Sequence, residues 1–197
     1  MSVVLWDGKD KLWADNFMGS SGSDVTHIHK VVKANNGSLL GLVGESRAVL
    51  LTLKYMSSLT ELPKADTFYK WLLTDRELRF CLAGIAAVPS KDDLPKHVDK
   101  LKDRGKRLKD DFIGTMLVVH PERKGYIVTV YEDGECSVVE FIIDEPVAVG
   151  SGRDFTLGAF LGGNSKGNSI EASEAIYLTS VYHKFVSPTC EYVQLGG

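Results

Sequence analysis

The chain has 197 residues, 44% hydrophobic and 25% charged, which suits one globular domain over residues 1–197 with a sizeable core. A net charge of -3 gives no electrostatic case for nucleic acid or an anionic membrane as partner. Cys81, Cys136 and Cys190 are odd in number and lack CxxC spacing, which predicts reduced, mostly buried thiols and a cytoplasmic location.

The N-terminus has no basic lead and no long apolar run, so neither a signal peptide nor a membrane span is expected. Residues 2–6 read as a strand, Asp7-Gly8-Lys9-Asp10 as a turn, and 11–15 as the returning strand. A Gly- and Ser-rich loop covers 16–24. Residues 25–33 alternate as a third strand, Asn35-Asn36-Gly37 turns the chain, and 38–43 form a fourth strand that Gly44 breaks. Ser46 is placed to cap a helix reaching about Met56, with Ala48, Leu51 and Tyr55 at helical spacing.

A short helix suits 66–73, and the apolar run 78–88 fits helix or strand. Residues 92–109 predict a charged amphipathic helix, interrupted near Gly105. Its basic side chains alternate with aspartates, the pattern of a solvated face rather than of a nucleic-acid patch. Strands rich in Val, Ile and aromatics return at 112–119, 126–131, 137–143 and 147–149. Helices at 154–161 and 170–182 and a strand at 189–195 complete the order. Strands clustered between helical blocks predict α+β layers rather than a doubly wound parallel sheet.

The run Val147-Ala148-Val149-Gly150-Ser151-Gly152 ends a strand and passes straight into a helix. Its glycines permit a sharp turn, and Ser151 either caps the helix or presents its hydroxyl to an active site. Asp15 is either a turn residue or a functional carboxylate at a strand end. Gly41, in Gly41-Leu42-Val43-Gly44, is either a close-packing glycine or a backbone donor to a developing charge.

Taken in order, these motifs resemble the proteasome β-subunit and HslV-type N-terminal-nucleophile (Ntn) hydrolases, including small relatives found in phages. The matching stretches are Leu12-Trp13-Ala14-Asp15, Gly41-Leu42-Val43-Gly44, Val147 to Gly152, Gly158-Ala159-Phe160-Leu161-Gly162 and Glu174-Ala175. Nearly the whole chain takes part, least between Leu59 and Lys109. The resemblance implies a four-layer αββα sandwich, with two stacked antiparallel sheets between helix layers.

It also implies a mechanism. A free α-amine beside the hydroxyl of the first residue takes the hydroxyl proton directly or through water. A lysine favours the neutral amine and the alkoxide, and an aspartate, here Asp15, pairs with it. The N–H at Gly41 stabilises the oxyanion, while Ser151 and a second aspartate hold the amine and water. No cofactor is implied. The expected partners are a peptide or protein substrate and further copies of the chain, in a ring or a smaller oligomer.

Three chemical positions depart from that pattern. Ser2 becomes an N-terminal nucleophile only when Met1 is removed. Counting back from Asp7-Gly8 puts residue 1 at the nucleophile position, and a different turn register restores Ser2. Counting back from Gly41 without gaps puts His27 at the lysine position, the favoured reading. A three-residue shift brings in Lys30, on the opposite face of a continuous strand. His183 stands where the second aspartate is implied.

Changed chemistry on a retained scaffold points to a catalytically degenerate member, a structural or partner-binding oligomer, ahead of an active Ser2 peptidase. An unrelated α+β binding domain is the third reading. His27, His29 and His183 match no metal motif and are expected to be unrelated histidines.

Overall fold

A computed structural model describes residues 2–18, 26–44, 46–59, 64–75, 77–78, 81, 112–131, 136–165, 170–183 and 186–196. The chain opens with the hairpin of β1 (Val3–Trp6) and β2 (Lys11–Asp15). Its turn is built by Asp7, whose Oδ1 accepts the N–H groups of Lys9, Asp10 and Lys11 at 2.8 to 3.1 Å. Two short strands follow, β3 (Phe17–Met18) and β4 (Thr26–His27), paired as a sheet of their own. Next come β5 (Val31–Lys33), β6 (Leu39–Gly44), α1 (Ser46–Ser58) and α2 (Ala65–Thr74). The second half holds β7 (Phe112–His120), β8 (Lys124–Tyr131), β9 (Cys136–Phe141), β10 (Val147–Gly150), α3 (Arg153–Ser165), α4 (Ala172–Tyr182) and β11 (Cys190–Gln194).

Besides that small pair, two larger antiparallel sheets are described, ordered β10-β1-β2-β11 and β5-β6-β7-β8-β9. Both sheets bury apolar side chains on both faces, and the two-residue period of a strand sorts them between layers. Val4, Trp6, Leu12 and Ala14 of the first sheet meet Val31, Leu39, Val43, Leu117 and Val119 of the second. On the outer face of the second sheet, Leu40, Leu42, Met116, Val118 and Val128 pack against Val49, Met56 and Phe68 of α1 and α2. Opposite, Val3 and Leu5 pack against Phe160, Ala172, Ala175 and Ile176 of α3 and α4. The architecture is the expected α+β four-layer αββα sandwich.

Two local expectations need correction. The continuous strand over 25–33 is interrupted, because residues 28–30 leave the ladder between β4 and β5. The loop over 16–24 begins with the short strand β3. The helix expected over 92–109 and most of the run 78–88 lie outside the described residues.

Two glycines set how closely the layers approach. A Cβ on Gly41 would lie 2.5 Å from Val4 Cγ1, so this position brings β6 of one sheet onto β1 of the other. Gly150 has φ +101°, and a Cβ there would lie 2.2 Å from the Ser2 carbonyl oxygen. At Gly158, in α3, a Cβ would meet nothing within 4 Å.

Gly150→Ala is therefore expected to lower stability by roughly 2–4 kcal/mol, combining left-handed backbone strain with overpacking. Gly158→Ala should raise it by about 0.5–1 kcal/mol through helix propensity. Urea denaturation of the two variants checks both signs, and equal effects would contradict the geometry.

Candidate active site

Antiparallel alternation gathers the start of β1, the end of β2, the end of β10 and the start of β11 at one end of the first sheet. There Asp15, the last residue of β2, is fully buried. Its Oδ1 accepts the Val3 N–H at 2.8 Å. Its Oδ2 accepts the Lys30 ammonium at 2.9 Å and the Ser187 N–H at 3.3 Å. The side chains of Lys30 and Asp15 are 3% and 0% exposed.

Such a pair is weak as a source of stability, because desolvating both ions offsets most of their attraction. It is strong as a fixed anchor, since the carboxylate holds the ammonium in one place and hydrogen bonds satisfy the remaining oxygens. Burial pushes the Lys30 ammonium below its ordinary 10.5, while Asp15 and then Glu191 pull it back up. Lys30 thus yields a proton more readily than a solvated lysine.

The break at residues 28–30 delivers Lys30. Ile28 N–H donates to Asn16 O at 3.1 Å, and Leu42 N–H donates to Lys30 O at 2.9 Å. The Lys30 N–H donates to Glu191 Oε1 at 2.7 Å. His29 projects outward, its side chain 89% exposed, with Nδ1 on Glu191 Oε2. An unbroken strand would have turned Lys30 away from the face that His27 occupies; the break removes that constraint. It is Lys30, the residue that the shifted count brings in, that meets Asp15. The His27 backbone pairs with Phe17 in the small β3–β4 sheet.

Ser2 is 8% exposed and directly precedes the Val3 N–H that Asp15 holds. Its carbonyl accepts the Gly152 N–H at 3.5 Å, and Val3 lies opposite Gly150 in the ladder. The Gly150-Ser151-Gly152 turn therefore clasps the residue that the sequence singles out as nucleophile. Ser151 itself is exposed in the turn before α3. Gly41 is paired with both Val31 and Leu117, so it sits inside the ladder as well as against Val4.

His183 caps α4, its N–H donating to Thr179 O at 2.8 Å. Its buried Nδ1 has no hydrogen-bond partner among the described residues. The segment that follows reaches Asp15 through Ser187, whose Oγ also accepts the Thr189 N–H at 3.1 Å.

Sequence reading missed two contributors, Ser187 and Glu191. The Ser187-Pro188-Thr189 run carries a turn signal that marks a bend but not its partner. Glu191 has no local signal at all, because its contacts lie across the fold. A separate cavity of about 600 Å³ lies at the opposite end of the first sheet, lined by residues including Asp7, Lys11, Trp13, Asp144 and Glu171. Among the described residues no cluster of three or more His, Cys, Asp or Glu is arranged for a metal ion. No helix among them is long and apolar enough to cross a membrane.

No protein-family model matches the chain, and no curated protein does. Solved structures match over its full length. BPH of Thiobacillus denitrificans is 17% identical at a TM-score of 0.57, covering 100% of this chain and 99% of that one. The same protein in complex with epoxomicin gives 15% and 0.55, covering 100% of both chains. Eukaryotic HslV from Trypanosoma brucei gives 14% and 0.53, again covering 100% of both. At these identities the likeness shows the fold alone, the αββα sandwich that BPH and HslV share.

Removing one partner of the buried pair leaves the other charge stranded, so Lys30→Met should lose about 3–5 kcal/mol near neutral pH. Between the lowered native value of Lys30 and 10.5, the unfolded chain binds the extra proton. Wild-type stability therefore gains from Lys30 as pH rises through that window. The gap between wild type and Lys30→Met, followed by urea unfolding, is expected to widen toward 10.5. A gap that stays constant would contradict a lowered Lys30 value.

Proposed function

We propose that the chain is an N-terminal-nucleophile amide hydrolase acting on peptide or protein substrates, with Ser2 as the nucleophile. Removal of Met1 would free the Ser2 α-amine, whose ordinary pKa of about 7.7–8.0 lets it act as a base near neutral pH. The Ser2 hydroxyl attacks the scissile carbonyl carbon and passes its proton to the amine, directly or through water. The tetrahedral intermediate collapses as the leaving amine takes that proton, and water then cleaves the seryl ester to restore Ser2. Lys30 favours the neutral amine and the alkoxide, and Asp15 holds Lys30 in place.

The observation that carries this reading is the buried Asp15–Lys30 pair, tied to the backbone one residue from Ser2. With Lys30 on Asp15, the departure at the lysine position no longer argues for degeneration. Gly41 as oxyanion donor and Ser151 as a holder of the amine enter through the resemblance alone.

His183 supports a second reading, a degenerate member that binds partners without catalysis. An imidazole whose Nδ1 lacks a described partner stands where a carboxylate is implied. Either reading accommodates a homo-oligomer in a reducing, cytoplasmic setting. Exposed Tyr177, Val181 and Tyr182 on α4, with Phe155 and Leu161 on α3, make an apolar outer face of the kind self-association covers. Phe155 and Tyr182 join it into one surface, their ring centroids 5.1 Å apart.

Intact-mass and N-terminal peptide measurements are expected to find Met1 removed. Epoxomicin, present in one of the BPH structures, is expected to leave a covalent adduct on the N-terminal peptide. Ser2→Ala should abolish the adduct and the turnover of fluorogenic peptides. Lys30→Met should lower kcat/KM by roughly 10²–10³-fold, the usual worth of one group that stabilises developing charge. Retained Met1 with no adduct and no turnover would leave the degenerate reading in possession.

The apolar face makes a separate prediction. Val181→Glu with Tyr182→Glu should shift native mass from oligomer toward monomer. A monomeric wild type would remove the oligomer from the proposal.

A further inference from the structure

The path of the chain into Lys30 assigns a task to β11. Residues 28–30 belong to no strand ladder, so the direction of the Lys30 side chain depends on what holds its backbone. On the β6 side, Leu42 N–H holds the Lys30 carbonyl at 2.9 Å. On the other side the Lys30 N–H has a side-chain acceptor, Glu191 Oε1 at 2.7 Å. The other oxygen of the same carboxylate is on His29 Nδ1, toward solvent. Glu191 therefore closes over two consecutive residues of the break, with one oxygen inward and one outward.

We propose that Glu191 is a positioning residue for Lys30, fixing its backbone so that the ammonium reaches Asp15 and adding a second negative charge to the surroundings of that ammonium. The inference deepens the hydrolase reading and rests on it for its catalytic meaning. The hydrogen bond to an ionised acceptor gives the geometric half, since such bonds are about twice as strong as neutral ones. The charge gives the other half: after burial and Asp15, Glu191 is the remaining influence on the Lys30 proton, and it acts to retain it. Among the described residues, Asp15 from β2 and Glu191 from β11 act on the ammonium; Cys190 of β11 lies in the field of both carboxylates, and His29 bonds to Glu191.

Two variants separate the halves in the full-length protein. Glu191→Ala removes both the acceptor and the charge. Glu191→Gln keeps an acceptor oxygen for the Lys30 N–H and removes only the charge. The readouts are amide exchange at Lys30 and lysine-selective NMR titration of its ammonium, neither of which needs a substrate.

Glu191→Ala is expected to speed Lys30 amide exchange by about tenfold or more, the scale of a lost hydrogen bond to a charged group. It should also move the ammonium titration to lower pH. Glu191→Gln is expected to preserve amide protection while still lowering the titration. Unchanged exchange in Glu191→Ala would overturn the proposal, and so would a Glu191→Gln titration equal to wild type. If both shifts appear and wild type turns over no peptide, the hydrolase reading fails and the positioning role stands.

Discussion

One buried carboxylate holds together the end of the first sheet where Ser2 lies. Asp15 sits where water is absent, so each of its oxygens must find donors within the protein. Val3, Lys30 and Ser187 supply them, from the first strand, from the break before β5, and from the segment after α4. Three stretches that are remote in sequence are thus held to a common point. Isosteric apolar replacement of such a pair is often harmless to stability, which makes proton and charge management the better physical explanation for it.

The same end of the sandwich shows how packing and chemistry share residues. Gly150 has the backbone that Ser2 needs beside it, and Gly152 donates to the Ser2 carbonyl. Gly41 lets the two sheets close until Val4 fills the space a side chain would take. A sheet contact this tight limits movement of β1, and with it movement of Ser2. Rigid elements carry the proposed nucleophile, whereas the lysine arrives on an irregular stretch that side chains must hold.

Much of the architecture was legible in the residues. Short apolar runs in Val3-Val4-Leu5-Trp6, Leu39 to Val43 and the strands after Phe112 pointed to the sheets, because such runs, bounded by turn residues and rich in β-branched side chains, suit strands buried on both faces. Asp15 and the Gly-Ser-Gly turn stood out because a strand end and a strand-to-helix junction leave local marks. The lysine was harder. His27 and Lys30 compete only while 25–33 is one strand, and the break at 28–30 is produced by Asn16, Leu42 and Glu191 rather than by any glycine or proline within it. Ser187 and Glu191 act entirely through tertiary contact, which no local pattern encodes.

The pairing of β11 with β2 joins residues 190–194 to residues 11–15, across most of the sequence. Asp15 therefore lacks the Ser187 N–H, and Lys30 its Glu191 acceptor, until β11 has left the ribosome and docked. Contacts of such sequence separation form late and slowly. Until then neither charge has its full set of partners, because the Ser187 donor and the Glu191 acceptor come from the end of the fold. The order of translation thus leaves the surroundings of the pair incomplete until the last strand docks.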